Sequence, residues 1–497
     1  MREPLDSLDL IKAWRYAIDT DLQRLAPGDT GPIETVTMTY DTHERFIPFQ
    51  RQSDRQAAHV FAISSDERWL AHGAETKIDL YDMSSGERVT TLMGHTVTVE
   101  SLAFAPNHPD TLVSSAASRH IEGAEVIVWD IKEQLERSNE QESIETGEIA
   151  RDAVDHIQTS LGKATSSLSL GPDETEVLTT VLQVWLDRFV GRSSLPSGAR
   201  RLSGRLRTFN NAGTAFVILP ALSSRVDGDA QWDFKVYDLE SGRETVFSGH
   251  RDSIAWIGFC PGDSLIVSAS RDGTFRIWWA NTGDQVHVWT TDKQNRTGCF
   301  APNNDRFLGI DAQGKIWVWR ISTGDLLWSF EDDHPGGCSR RCVDWSRDGK
   351  WIIVGGEGFG EILLFEVPSD PNVGPIRPAQ RRILSVGKSR MSDDPRMARW
   401  ARKMLNVNSL RFIPGDEDDD EVVFGSTTYI DLGVEFVSLT RGKRWRIIPF
   451  EREDDDDAEF DRLDKEGWTV QPRWFALKRS RQVVVISCDG ARFWKLT

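Results

Sequence analysis

Residues Leu265–Trp279 read LIVSASRDGTFRIWW. Two runs rich in β-branched and aromatic residues flank Arg271-Asp272-Gly273, and the Asp-Gly pair supplies the positive-φ positions of a tight hairpin. RFLGIDAQGKIWVW, Arg306–Trp319, repeats the pattern with Gln-Gly at the turn. Upstream of such pairs stands an apolar strand ending in a turn: SLAFAP (Ser101–Pro106), WIGFCPGD (Trp256–Asp263), CFAPNND (Cys299–Asp305), VDWSRDG (Val343–Gly349) and SLRFIPGD (Ser409–Asp416). Working outward, the short aromatic strand recurs as Ile78–Asp82, Val126–Asp130, Phe234–Asp238, Phe275–Trp279, Ile316–Arg320, Ile362–Glu366, Val434–Leu439 and Ala491–Leu496. Where insertions are absent the period is about 40 residues, and many short antiparallel strands at such a period mean a radial all-β propeller. Eight units imply eight blades, with seven the alternative count.

Two units carry Gly-His before their first strand, Gly94-His95 and Gly249-His250, and one ends in Trp-Asp, Trp129-Asp130. On these motifs the chain resembles the WD40-repeat family, over most of residues 57–130 and 205–497. The resemblance implies four-stranded blades and places His250, Ser268 (or Ser270), Asp272 and Trp278 where that family has an intra-blade hydrogen-bonded tetrad. Tyr81 and Tyr237 stand in two units where the family has the tryptophan. It also implies an interaction scaffold within a larger cytoplasmic or nuclear complex. Ile131-Lys132 follows Trp129-Asp130 and lacks the arginine typical of ubiquitin-ligase receptors of this family.

Composition narrows the classes. The 497 residues are 39% hydrophobic, enough for a large core, and carry 59 Lys plus Arg against 77 Asp plus Glu, a net charge of −18. That balance argues against a general nucleic-acid or anionic-membrane binder. Five cysteines make no disulfide framework. No apolar run approaches the ~18 residues of a membrane helix, and MREPLDSLDL has no apolar signal core. A reducing cytoplasmic or nuclear setting is expected, with no membrane partner and no small-molecule substrate.

Segments outside the repeats divide the chain further. Residues 1–30 read as a helical extension, with Leu8, Ile11, Trp14, Ile18, Leu22 and Leu25 on one face. Residues 31–131 hold the first two blades and a closing strand, assigned to Thr35–Tyr40 because the last unit stops after three strands. Residues 132–204 read as an insertion before the third blade: a charged, solvated start, then two helices led by Ile149–Leu161 and Val177–Phe189. Residues 205–367 hold blades three to six. Residues 368–405 read as a basic insertion with a short helix, PRMARWARKML, and residues 406–497 hold the last two blades. The basic insertion is the sharpest local departure from composition. Arg377, Arg381, Arg382, Arg396, Arg399, Trp400, Arg402 and Lys403 are its candidate partner-binding residues. They could receive an acidic partner, the phosphates of RNA or chromatin, or the chain's own acidic runs Asp416–Glu421 and Glu451–Asp457.

Catalytic and metal signals are thin. His334, Cys338 and Cys342 are spaced by four, with Cys299 as a distant fourth, but no Cys-x2-Cys knuckle is present. Cys342 opens a strand and reads as a small hydrophobe. Gly355–Gly360 lies between two strands, without the helix that a phosphate cradle needs. No Gly-x-Ser-x-Gly elbow occurs. The expected function is therefore a non-enzymatic protein-interaction scaffold with no cofactor, metal or catalytic residue. The alternative is an RNA- or chromatin-associated factor contacting phosphate through residues 377–403.

Overall fold

The structure is a computed structural model that describes residues 34–49, 60–117, 124–141, 195–220, 232–291, 293–330, 340–356, 361–367, 381–385, 407–414, 422–428, 434–438, 443–447, 473–477, 479–487 and 490–495. The first-30 helix, the helices expected within 149–189 and the PRMARWARKML helix lie outside them. So do Arg377, Arg396, Arg399, Trp400, Arg402, Lys403, His334 and Cys338.

Among the described residues the strands form eight sheets of the WD40-blade type, antiparallel apart from one parallel strand added to the seventh. In chain order the first sheet is Val60–Ile63, Trp69–Ala74, Lys77–Asp82 and Arg88–Met93. The second is Val99–Ala105, His108–Ala117, Ala124–Asp130 and Ala199–Ser203. Arg205–Phe209, Ala215–Leu219, Phe234–Asp238 and Glu244–Phe247 make the third. Ile254–Phe259, Leu265–Ser270, Thr274–Trp279 and Gln285–Thr290 make the fourth. The fifth is Asn295–Phe300, Arg306–Asp311, Ile316–Arg320 and Leu326–Phe330. The sixth is Arg340–Trp345, Trp351–Gly356, Glu361–Glu366 and Arg381–Ser385. Val407–Pro414, Val422–Thr428, Val434–Ser438 and Lys443–Ile447 begin the seventh. Arg473–Leu477, Gln482–Ser487 and Gly490–Lys495 begin the eighth. Every aromatic run picked out in the sequence is the third strand of its sheet.

The chain divides into two compact units: Ala57–Arg207 with Ile218–Arg225, and Met1–Gln56 with Thr208–Val217 and Val226–Thr497. In the smaller unit the first strands of sheets one and two are neighbours. Their core is shared, joining Trp69, Leu80 and Leu92 to Leu102, Phe104, Ile127 and Trp129. In the larger unit the first strands of sheets four to seven follow one another side by side. Sheets four and five share Leu265, Phe275, Trp289, Phe307 and Trp319. Trp289 and Trp319 stack with centroids 4.8 Å apart. The Trp289 indole N–H also donates to the Gly324 carbonyl at 2.9 Å, so the outer strand of sheet four is gripped by the last turn of sheet five. Each buried aromatic of this kind contributes about 1.5–3 kcal/mol.

Four expectations need correction. The expected closing strand, Thr35–Tyr40, does not close the last sheet. Glu34–Met38 pairs in parallel with Lys443–Ile447 as a fifth strand of the seventh sheet. The fourth strand of the eighth sheet is Arg45–Pro48, antiparallel to Gly490–Lys495. Second, the segment after Asp130 is not solvated chain: Ile131–Gln141 is a helix. Asp130 caps it by accepting the Glu133 N–H at 3.2 Å, and Ile131 and Leu135 pack on the first two sheets. Third, the 132–204 stretch interrupts the second sheet, not the third: Ala199–Ser203 returns as that sheet's fourth strand, against Glu125–Trp129. Fourth, the 368–405 stretch is not one insertion, because Arg381–Ser385 is the fourth strand of the sixth sheet.

The closing strand should dominate the stability of the eighth sheet. Ile47 is fully buried, whereas Thr37, on the added fifth strand, is exposed. Ile47→Asp buries an unpaired charge and should cost about 3–5 kcal/mol in urea unfolding. Thr37→Asp should change stability by less than about 0.5 kcal/mol.

Candidate interaction surface

The fourth sheet shows how the ends of the sheets are fixed. Its second strand is buried along its whole length, so the polar Ser268 must be satisfied internally. The Trp278 indole N–H donates to Ser268 Oγ at 2.9 Å, and Ser268 Oγ lies 2.7 Å from His250 Nε2. His250 Nδ1 is 2.8 Å from Asp272 Oδ2. An ionised carboxylate only accepts, so Nδ1 carries the proton and Nε2 takes the serine's hydrogen. The chain of donors runs Trp278, Ser268, His250, and in the last step His250 Nδ1–H donates to Asp272. It ties the turn that enters the sheet to the hairpin between its second and third strands. Gly249 completes the turn with φ +144°, and a Cβ there would meet Arg276 Nη1 at 2.5 Å.

The second sheet repeats the device with a longer acid. Trp129 Nε1 donates to Ser114 Oγ at 2.8 Å, Ser114 Oγ lies 2.6 Å from His95 Nε2, and His95 Nδ1 is 3.1 Å from Glu125 Oε1. Glu125 also accepts the Thr96 N–H at 2.9 Å, and Arg201 Nε stands 3.2 Å from its other oxygen. The sequence pointed to His95 but not to Glu125, which lies four residues before its tryptophan where Asp272 lies six before Trp278. The fifth sheet has lost the tetrad. There Asp311 accepts the Gln313 and Lys315 N–H groups at 2.9 and 3.1 Å, and Thr291 donates to Asn295 Oδ1 at 2.7 Å.

Electrostatics follow from these bonds. Burial alone would push the Asp272 carboxyl up. The His250 ring, the Thr274 hydroxyl and the Arg251 N–H outweigh it and hold the group far below the usual 3.8. Glu125 is likewise pushed up by burial and drawn, on balance, below 4.5 by His95, Thr96 and Arg201.

Of the basic residues expected to bind partners, the structure places Arg381 and Arg382 opposite Phe365 and Leu364, on the outermost strand of the sixth sheet. Outer strands elsewhere in the larger unit expose apolar side chains, Val246, Val288 and Leu326, where a buried core position would be expected to carry them. Cys299 and Cys342 sit on the first strands of adjacent sheets five and six. Burial, and then the Asp344 carboxylate, push the Cys299 thiol well above its ordinary value, the opposite of what a metal ligand or nucleophile needs. Gly355 and Gly356 end a strand paired antiparallel with its successor. Among the described residues no helix is long and apolar enough to cross a membrane.

Comparison with known proteins finds a WD repeat within this chain. The family model described as "WD domain, G-beta repeat" matches residues 242–278, the span that holds the His250 tetrad. Eukaryotic translation initiation factor 3 subunit I of Aspergillus fumigatus is 27% identical over 128 residues, 22% of this chain and 37% of that protein. Pre-mRNA-processing factor 19 of Bos taurus is 26% identical over 232 residues, 44% of this chain and 45% of that one. The chain thus spans less than half the length of either relative. The C-terminal WD40 domain of Sif2 aligns over 77% of this chain and 81% of its own at 14% identity, with a TM-score of 0.45.

Two predictions follow from the tetrads. Ser268→Ala strands the Trp278 donor in a buried site and should cost about 1–3 kcal/mol in urea unfolding, whereas Ser241→Ala, in an exposed turn, should cost less than about 1 kcal/mol. The depressed folded-state acids also fix a pH window. Their stabilisation is fully present above the ordinary values of 4.5 and 3.8 and is lost as pH falls through and below them. Asp272→Asn should therefore flatten the decline in unfolding midpoint measured between pH 5 and pH 3.

Proposed function

We propose that this chain, in which residues 242–278 match a WD repeat, serves as a non-enzymatic scaffold, a subunit that holds other proteins in a larger cytoplasmic or nuclear assembly. The observation that carries this reading is the pair of buried tetrads. They hold incoming turns and hairpins in fixed positions, so a partner meets a preorganised set of loops and little ordering entropy is lost on contact. The named relatives add support, because one is a subunit of a translation initiation factor and the other a pre-mRNA-processing factor.

The outer strand of the sixth sheet is the contact favoured here. Arg381 and Arg382 lie on it, and the chain that follows carries Arg396, Arg399, Trp400, Arg402 and Lys403, with Arg377 just upstream. Exposed backbone donors and acceptors on an outer strand, beside positive charge, suit an acidic extended segment of a partner.

Affinity purification of the tagged full chain from its native cells tests the proposal, beside a variant with Arg381, Arg382, Arg399 and Arg402 each changed to Glu. A stoichiometric protein partner that survives nuclease, and is lost in the variant, is the expected result. Recovery of partners only with RNA or DNA, abolished by nuclease, would replace the scaffold with a nucleic-acid-bound factor.

A further inference from the structure

Ala199–Ser203 is the outermost strand of the second sheet, paired on one side with Glu125–Trp129. It reads Ala-Arg-Arg-Leu-Ser, and Gly204 follows. Arg200-Arg201-Leu202-Ser203 is the one place in the sequence where two consecutive arginines stand three and two positions before a serine or threonine. An outer strand already has the extended backbone in which a protein kinase holds its substrate, and Arg200 and Ser203 are both exposed. The chain turns away directly after the serine. Gly204 has φ +125°, and a Cβ there would collide with Ile218 and the Leu219 carbonyl.

Ser203 also stands where an added charge would be felt. It lies opposite Glu125 in the register, so the two side chains share a face, and Arg201, two positions away, shares it too. Glu125 is the acid of the His95 tetrad. Arg201 Nε stands 3.2 Å from Glu125 Oε2, and Arg201 Nη2 donates to the Gly94 carbonyl at 2.7 Å. One guanidinium thus holds both the tetrad's acid and the turn that enters the sheet. Beyond Gly204, Arg205 Nη2 lies 2.7 Å from Glu100 Oε2. The two arginines that flank the serine are therefore each held by one carboxylate.

We propose that Ser203 is a phosphorylation site for an arginine-directed protein kinase, and that phosphate there draws Arg201 off Glu125 and loosens the His95 turn. In the modifying step Ser203 Oγ bonds to the γ-phosphorus of ATP and the bond to the β,γ-bridging oxygen breaks. ADP leaves, and the hydroxyl proton passes to the kinase's catalytic carboxylate. The product carries about −1.5 to −2 charge. Guanidinium groups match a phosphate in two-point contacts. The same charge repels Glu125, so the two effects act together: Arg201 is drawn away and Glu125 loses its countercharge. The Thr96 N–H, which donates to Glu125 at 2.9 Å, is held less firmly as a result. The site stands independently of the scaffold reading, because a kinase reads the strand whatever the sheets bind.

Treatment of the folded full chain with the catalytic subunit of cyclic-AMP-dependent protein kinase and Mg-ATP tests the proposal, since that enzyme reads arginines at these two positions. Mass spectrometry should place phosphate on Ser203, with incorporation about tenfold slower in Arg200→Gln. Arg200 is exposed, so that variant should melt as the parent does. Hydrogen exchange at the Thr96 amide should then be about twofold or more faster in the phosphorylated chain. The Arg251 amide, which donates to Asp272 in the fourth sheet, is the control that should not move. Arg201→Gln should raise exchange at Thr96 without any kinase. Phosphate on Ser203 only after heat denaturation, phosphate confined to other residues, or incorporation unaffected by Arg200→Gln would each overturn the proposal. So would unchanged exchange at Thr96 in the phosphorylated chain or in Arg201→Gln.

Discussion

A second strand buried on both faces is the constraint from which the rest of this structure follows. Trp69–Ala74 and Leu265–Ser270 have no exposed residue. In such a strand a hydroxyl left unpaired costs more than the bond it forgoes, so a buried serine there is favoured where its donor and acceptor find partners. Ser268 meets the condition by standing between an indole and an imidazole, and Ser114 does the same in the second sheet. The chain of bonds must end on a group that accepts without donating, and this is why each tetrad ends on a carboxylate held in its ionised form. Connections at that end of the sheet are then fixed by the same bonds that satisfy the interior.

The third strands were legible in the sequence because their chemistry is doubly determined. Phe275, Ile277 and Trp278 must be β-formers and must also fill the space between sheets, the first two toward the fifth sheet and Trp278 against Phe247 of the third, so pattern and composition agree. The His250 tetrad was legible because Gly-His and Asp-Gly stand at the spacing its hairpin requires. Glu125 was not, since a longer acid reaches His95 from a different position in the hairpin and leaves no fixed interval to search for.

Other misreadings share a cause: local pattern does not name a partner. Thr35–Met38 alternates as well as any closing strand, yet it lies parallel to Lys443–Ile447, while the shorter Arg45–Pro48 takes the edge beside Gly490–Lys495. Arg381–Ser385 hid as a strand because its two leading residues matched the charge of the loops around it. Ile131–Gln141 hid as a helix because, among its described side chains, Ile131, Gln134 and Leu135 make a narrow inward stripe in a strongly charged segment.

The Trp494 indole N–H reaches the Thr39 carbonyl across 455 residues of chain. Arg45–Pro48 leaves the ribosome hundreds of residues ahead of its partner strand Gly490–Lys495. At about 5–20 residues per second, the early strand waits on the order of a minute for its mate. Through that interval its donors and acceptors are exposed, and closing so long a loop adds an entropic delay once the partner strand has emerged. The eighth sheet is therefore where a nascent chain is most open to pairing with the wrong strand, and where a chaperone acting during synthesis would have the most to shield.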